Sequence, residues 1–250
     1  MNQPGEPCQF LEWDTRFFGH RIGRVESHRV DEDLMARIEQ WRQEQSIECL
    51  YFLADSDDPL TIALAQAHGF QLVEVRLTFE RSLKDWDPQT RPREIRDLLI
   101  RPPKPQDLPA LQEIARNSYV DSRYFFDKRF PESKWQKYYS TWVQKSCSGG
   151  AELALAAEKD GEVLGYITGQ VDHESGEGIY ELTGVKEAAR RLGVGQELFR
   201  SGLDWYARAG VGSIWVATQG RNIATQRMIQ RNGFITRSCQ LYYHKWFDVE

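Results

Sequence analysis

The stretch AARRLGVGQELFRSGLDWYAR, residues 188–208, opens a helix with arginines and glycines where a serine, threonine or aspartate would ordinarily cap it. Leu198, Phe199, Gly202, Leu203 and Tyr206 fall on one face of the helical repeat, so the helix is amphipathic. Its first turn presents amides without intrahelical acceptors at the positive end of the helix dipole. Gly193 and Gly195 let a ligand approach the backbone closely, and Arg190 and Arg191 add charge at the same mouth. Together these features make an anion cradle suited to a pyrophosphate. The glycine pattern alone fits equally well a turn of small residues that merely joins a strand to a helix.

Working outward, Ile179 to Val185 reads as a strand and Ser213 to Thr218 as a short apolar strand. Asn222 to Asn232 follows as a helix capped by Asn222 and closed by Gly233, and Phe234 to Trp246 supplies the last strands. Upstream, Glu152 to Glu158 and Val163 to Val171 form a hairpin turning at Lys159-Asp160-Gly161. Before it come a strand at Leu98 to Arg101, a helix from Gln106 or Asp107 to about Ser118, and an amphipathic helix from Pro131 to Ser146. Charge and proline replace apolar periodicity between Leu83 and Asp97, which divides the chain into an N-terminal α/β domain, residues 1–90, and a second domain, residues 91–250. In the first, Arg21 to Ser27, Cys49 to Asp55 and Gln71 to Arg81 read as strands. Asp31 to Glu44 and a segment opened by Asp58-Pro59 and ended before Gly69 read as helices. LYFLADSDDPLTIALAQAHGF (50–70) lies without a gap over IWVATQGRNIATQRMIQRNGF (214–234). The echo is either a duplication or generic strand-helix-strand grammar, and no RxxGxG precedes the N-terminal helix.

A net charge of -5 argues against a nucleic-acid partner, and no run is long and apolar enough to span a bilayer. The N-terminus lacks the pattern of a signal peptide. Four cysteines, at 8, 49, 147 and 239, show no CxxC spacing and read as reduced thiols of a cytoplasmic protein. The histidines are scattered, so no metal site is expected.

The order strand, RxxGxG loop, amphipathic helix, strand, and Asn222 ahead of Gly233-Phe234 resembles the core of the GNAT family of acyl-CoA-dependent N-acyltransferases. The resemblance covers roughly Leu98 to the C-terminus. It implies a mixed, twisted α/β sheet flanked by helices, here carrying the smaller N-terminal α/β domain. It also implies that acetyl-CoA is the co-substrate, with its pyrophosphate on the loop of Arg190, Arg191, Leu192, Gly193, Val194, Gly195 and Gln196. The pantetheine arm then pairs with Thr183, Gly184 and Val185 and faces Asn222 and Ile229. FLEWDTRFFGHRIGRV (10–25), SRYFFDKRFPESKWQKYYSTWVQKS (122–146), VATQGRN (216–222) and LYYHKW (241–246) are similar, more narrowly, to the branch that contains the dTDP-fucosamine acetyltransferases. That branch carries an N-terminal α/β domain of this size and acetylates the amine of a nucleotide-linked aminosugar.

Amide formation requires a neutral amine, a stabilised oxyanion and a proton for the leaving thiolate. The family commonly supplies that proton from a tyrosine two turns into the helix after Asn222, where this chain has Ile229. Three answers stay open: the hydroxyl of Thr225, a terminal-strand residue among Tyr242, Tyr243 and His244, or no acid beyond proximity. Glu181 is the candidate base, with an edge glutamate in an ion pair as the alternative; alternation sets Ile179, Glu181 and Thr183 opposite Tyr180 and Leu182. For the acceptor, Arg123 and Arg129 suit phosphates, Tyr124 and Phe125 suit a base or sugar face, and Phe17 and Phe18 close the other side. Such mixtures also build plain domain interfaces. The expected function is acetyl transfer to the amine of a small acceptor, a nucleotide-linked aminosugar by the narrower resemblance. The alternatives are a protein or peptide N-acetyltransferase and a non-catalytic acyl-CoA-binding module. A homodimer is compatible with the sequence.

Overall fold

Helix ends in this chain are fixed by local chemistry. Asp31 accepts a hydrogen bond from Leu34 N (2.8 Å) and so starts α2, Glu32–Glu44. Pro59 occupies the first turn of α3, Pro59–Ala67, and Gly69 follows with φ 76°. The computed structural model describes residues 5–87 and 95–247. Its N-terminal strands are β1 (Cys8–Phe10), β2 (Ile22–Val25), β3 (Cys49–Asp55) and β4 (Gln71–Ser82). A helix α1 (Glu12–Phe18), closed by Gly19 at φ 80°, lies between β1 and β2. Sequence periodicity missed β1 and α1 because both are too short to show a repeat.

The later elements are β5 (Leu99–Arg101), α4 (Leu108–Arg116), the single turn α5 (Arg123–Phe126) and α6 (Glu132–Lys145). They continue with β6 (Leu153–Lys159), β7 (Glu162–Asp172), β8 (Glu177–Val185), α7 (Val194–Arg208), β9 (Ser213–Gln219), α8 (Ile223–Arg231) and β10 (Ile235–Trp246). The expected last strands are one strand, β10, irregular in register against β4 near Thr236 and Tyr242.

Among the described residues, ten strands form one mixed sheet in the order β1-β2-β3-β10-β4-β9-β8-β7-β6-β5. β10, from the end of the chain, is inserted between β3 and β4, and β4 is inserted between β10 and β9. The boundary expected at residue 90 lies outside the described residues; on either side of it the strands interleave. The order β3-β10-β4-β9 reads the same from both ends when β3 is matched to β9 and β4 to β10. The registers obey that match as the echo aligns it, Leu50 over Ile214. Leu77↔Cys239 becomes Leu241↔Val75, Leu53↔Tyr242 becomes Ala217↔Thr78, and Arg76↔Gln240 maps onto itself. The parallel pairs β2-β3 and β8-β9 are likewise equivalent.

Alternation along β3 separates two layers of core. Cys49 and Tyr51 pack with Phe18, Leu111, Tyr124, Trp135 and Tyr138 under α1, α4, α5 and α6. Leu50 and Phe52 pack with Met35, Ile38, Trp41 and Leu64 under α2 and α3. On that second side the C-terminal strands are covered by α7 and α8, through Leu198, Phe199, Leu203, Tyr206 and Ile229.

Candidate active site

Strands β8 and β9 run parallel and pair from Glu177↔Ser213 to Tyr180↔Val216. Beyond that point both continue, to Val185 and Gln219, without pairing, and a gap opens between them. β8 stays bound to β7 on its other side, through Ile167↔Thr183, Tyr166↔Gly184 and Gly165↔Val185. Lys186 N donates to Leu164 O across that ladder (2.8 Å), so alternation turns the N–H and C=O of Val185 and Thr183 toward the gap. Side chains take the two carbonyls: the Tyr119 hydroxyl donates to Thr183 O (3.4 Å), and Arg190 Nε donates to Val185 O (3.3 Å). Tyr119 also bonds the buried hydroxyl of Tyr166 (2.8 Å). Sequence reading missed this tyrosine pair; a tyrosine just past a helix end carries no signal of what it will meet.

The ladder between β7 and β8 slips near Thr168. Leu182 N there donates to Thr168 Oγ1 (3.3 Å) in place of a backbone carbonyl. The bulge corrects the expected alternation. Tyr180 points into the core under α7, whereas Leu182 packs in the core under α4 and α6.

After β8 the chain makes a turn at Glu187–Ala189, and Arg191 and Gly193 adopt φ 64° and 87°. α7 then begins at Val194 with no side-chain cap; Glu197 N is the first amide to reach an intrahelical carbonyl, that of Gly193 (3.1 Å). The amides of Val194, Gly195 and Gln196 precede it and have no intrahelical acceptor. The side chain of Val194 is buried, and Gln196 Nε2 donates to Asn232 Oδ1 (2.8 Å), so this turn offers its backbone outward. A Cβ on Gly195 would lie 3.4 Å from Met228 Sδ and 3.5 Å from Val185 Cγ2, closing the space between loop, β8 and α8. Arg190, Arg191 and Leu192 are exposed around this mouth.

Asn222 caps α8, its Oδ1 accepting from Thr225 N (3.2 Å). Thr225 is half-buried, and among the described residues its hydroxyl makes no hydrogen bond. Ile229 is 0 % exposed and packs with Phe199 and Phe234, so the expected coenzyme contact at this position is corrected: the side chain faces the core. Glu181 is half-buried, with Oε2 enclosed and, among the described residues, without a hydrogen-bond partner. Burial raises its pKa above the usual glutamate value, against the opposing charge of Lys145.

Tyr242 does not stand at the gap. β4 and β9 lie between β10 and β8, and two strand spacings put it about 10 Å from β9. It is buried, with the Arg123 guanidinium 4.5 Å from its ring centroid. Tyr243 belongs to the core under α2 and α3. His244 is buried against Tyr51, its Nδ1 2.6 Å from Asp127 Oδ2, and burial holds its pKa down to about 4.

The proposed acceptor residues prove largely to be core. Phe18 and Tyr124 are 4 % and 1 % exposed, with Phe17 and Phe125 packed at their edge. The guanidinium of Arg123 is walled by the rings of Tyr51 (5.0 Å), Tyr124 (4.3 Å) and Tyr242 (4.5 Å) and donates to the Tyr124 hydroxyl (2.6 Å). Arg129 is exposed and lies over Trp246 (5.5 Å). These residues join α1, α5 and α6 to the sheet. Among the described residues there is no cluster of metal-ligating side chains, and no helix is long and apolar enough to cross a membrane.

The chain is 28 % identical over 145 residues to the spore coat polysaccharide biosynthesis protein SpsD of Bacillus subtilis, covering 58 % of this chain and 50 % of that one. It is 24 % identical over 140 residues to the dTDP-fucosamine acetyltransferase of Escherichia coli, covering 55 % and 59 %. The chain thus matches little more than half the length of either curated relative. Its fold is that of a GCN5-related N-acetyltransferase from Sphaerobacter thermophilus, with TM-score 0.68, 17 % identity, and coverage of 97 % of this chain and 78 % of that one. The family profile described as Acetyltransferase (GNAT) family matches residues 108–234, which hold the strand gap, the capless α7 and the Asn222 helix. The chain belongs to the GNAT acetyltransferase family.

Proposed function

We propose that this protein transfers an acetyl group from acetyl-CoA to the primary amine of a small acceptor, and that the acceptor is a nucleotide-linked aminosugar. The observation that carries the transfer reading is the open edge of β8 beside the capless start of α7. A helix N-terminus with free amides accepts a pyrophosphate, and an unpaired strand edge accepts an amide-bearing chain as an added strand. Coenzyme A carries both groups, and its acetyl thioester supplies the activated acyl group. The backbone from Arg191 to Gln196 holds the phosphates, and Arg190 keeps the loop against β8 through Val185 O. The Thr183 and Val185 N–H groups donate to acceptors in the gap, including a carbonyl oxygen that gains negative charge.

Glu181 takes the proton from the acceptor ammonium, a role that a raised pKa favours near neutral pH. Thr225, with its hydroxyl uncommitted at the start of α8, relays to the departing sulfur the second proton, which the nitrogen sheds as the amide forms. The nucleotide-sugar acceptor draws support from the matched regions of the spore-coat polysaccharide protein and of the dTDP-fucosamine enzyme. A second reading, a coenzyme-binding module without turnover, is favoured by one observation: Ile229, a buried core residue, stands where the family commonly has its acid.

Release of free thiol from acetyl-CoA, measured with a panel of amines that includes dTDP-aminosugars beside calorimetry with coenzyme A, separates the two. Thiol release with a sugar nucleotide establishes transfer. Coenzyme binding with no release across the panel favours the binding module.

A further inference from the structure

A pocket of about 490 Å³ opens on the sheet at the centre of its internal symmetry, where Arg76 of β4 and Gln240 of β10 are register partners. Both halves of the chain line it, with Arg24 and Arg76 from one and Trp215, Arg237 and Tyr242 from the other. The charges on that lining are uneven: three guanidinium groups, of Arg24, Arg76 and Arg237, against the carboxylate of Glu26. Two of the three are occupied. Arg24 donates to Gln9 Oε1 (2.6 Å) and Glu26 Oε1 (3.2 Å), and Arg237 pairs with Glu177 (3.2 Å) and Glu80 (3.6 Å).

Arg76 differs from both. It is half-buried, and among the described residues no carboxylate oxygen comes within 4.0 Å of its guanidinium and no hydrogen bond engages it. Burial weakens its hold on its proton, and the positive charges of Arg123 and Arg24 add to that, against Tyr242 and Glu74. The buried Glu74 carboxylate is itself committed to the backbone N–H of Arg123 (2.9 Å). A cation so placed, without its own anion, is stabilised by an anion that arrives from outside.

The pocket also adjoins the gap. Ile214 and Val216 point into the core under α7, so Trp215 between them points to the pocket side. Trp215 is the register partner of Ile179, two residues before Glu181. Arg76, opposite Gln219 near the open end of β9, lies two strands from the candidate base, at least about 10 Å across the sheet because β8 and β9 have parted there. A sugar joined to a diphosphate spans such a distance.

We propose that this pocket is the anion subsite of the acceptor: Arg76 and Arg24 hold a phosphoryl or pyrophosphoryl group while the amine lies at the β8–β9 gap. The assignment rests on the acetyl-transfer reading, and its test separates the two. Thymidine diphosphate and inorganic pyrophosphate are titrated by calorimetry into the full chain with coenzyme A already at saturation, so that the α7 loop is not the site. The nucleotide is expected to bind one to one, more tightly than pyrophosphate alone. Arg76→Gln weakens it about tenfold or more, and Arg24→Gln, at the exposed rim, severalfold, with coenzyme A affinity unchanged in both.

Wild-type affinity for the nucleotide in both arginine variants overturns the subsite, as does loss of nucleotide binding once coenzyme A is saturating, or no binding of either probe. If Arg76→Gln does not fold, Arg24→Gln and Trp215→Leu decide. Arginine-dependent nucleotide binding with no thiol release across the amine panel overturns acetyl transfer and leaves the subsite standing. Transfer to a dTDP-aminosugar with unchanged kcat and KM in Arg76→Gln does the reverse.

Discussion

Glu181, the proposed base, shows how a partly buried carboxylate weakens the fold that holds it. Burial raises its pKa in the folded chain above the value in the unfolded chain. The folded state therefore favours the protonated carboxyl, and this contribution to stability is lost as pH rises through the folded value. Glu181→Gln is expected to melt at a higher temperature than wild type at neutral pH and at a similar one in acid. The same variant is expected to lose about a hundredfold in kcat/KM and to lose the acidic limb of its pH–rate profile. A pH–rate profile of unchanged shape, with melting followed by circular dichroism, removes Glu181 from the base role. Thr225 is tested by the isosteric change to valine, which leaves its backbone N–H on Asn222. Turnover is expected to fall about tenfold while coenzyme A affinity holds, and an unchanged rate removes the hydroxyl from the reaction.

The decisive elements are β8 and α7. The start of α7 was legible because the requirement is local: glycines and arginines in place of a cap leave amides open wherever the helix is set. Gly193 at φ 87° has a conformation that other residues adopt only at a cost, and the nearest side-chain atom to an added Cβ would be Ile95 Cδ1 at 3.3 Å. Gly193→Glu is expected to weaken coenzyme A by tenfold or more, because a carboxylate would sit in an anion cradle. Calorimetry on the folded variant checks this, and wild-type affinity would remove the loop from coenzyme binding. The bulge in β8 was not legible. IYELTGV alternates without a break, and the slip depends on Thr168 of the neighbouring strand, whose hydroxyl satisfies Leu182 N. Ile229 was misplaced for a related reason: a helix position reads as ligand-facing or core-facing only once its partner sheet is known.

At the scale of the whole molecule, the two halves exchange strands. β10 pairs with β3 from Trp246↔Cys49 to Gln240↔Asp55 and with β4 on its other edge. Removing the first half would leave β10 without either neighbour and expose the edge of β9 that β4 covers. The chain is therefore expected to unfold in urea as one transition, with fluorescence and circular dichroism coincident. Fragments 1–90 and 91–250, expressed apart, are expected not to reach the native fold. A folded 91–250 fragment with the coenzyme A affinity of the full chain would show instead that the halves are independent.

The sequence by itself determined the elements whose signals are local. These are the caps at Asp31 and Asn222, the stop at Gly69, the glycine-arginine loop, most strand and helix bounds, and the echo between residues 50–70 and 214–234. It also determined that Ile229 breaks the family's pattern. Only the tertiary structure decided which strands meet, because pairing joins residues far apart in the chain with no local mark of their partner. Strand pairing moved Tyr242 away from the gap, turned Phe18 and Tyr124 into core, and set Arg76 and Trp215 in one pocket that neither segment announces. Charge and aromatic content are properties of residues. Whether they face a ligand or one another is settled by burial, and burial is a property of the assembled sheet.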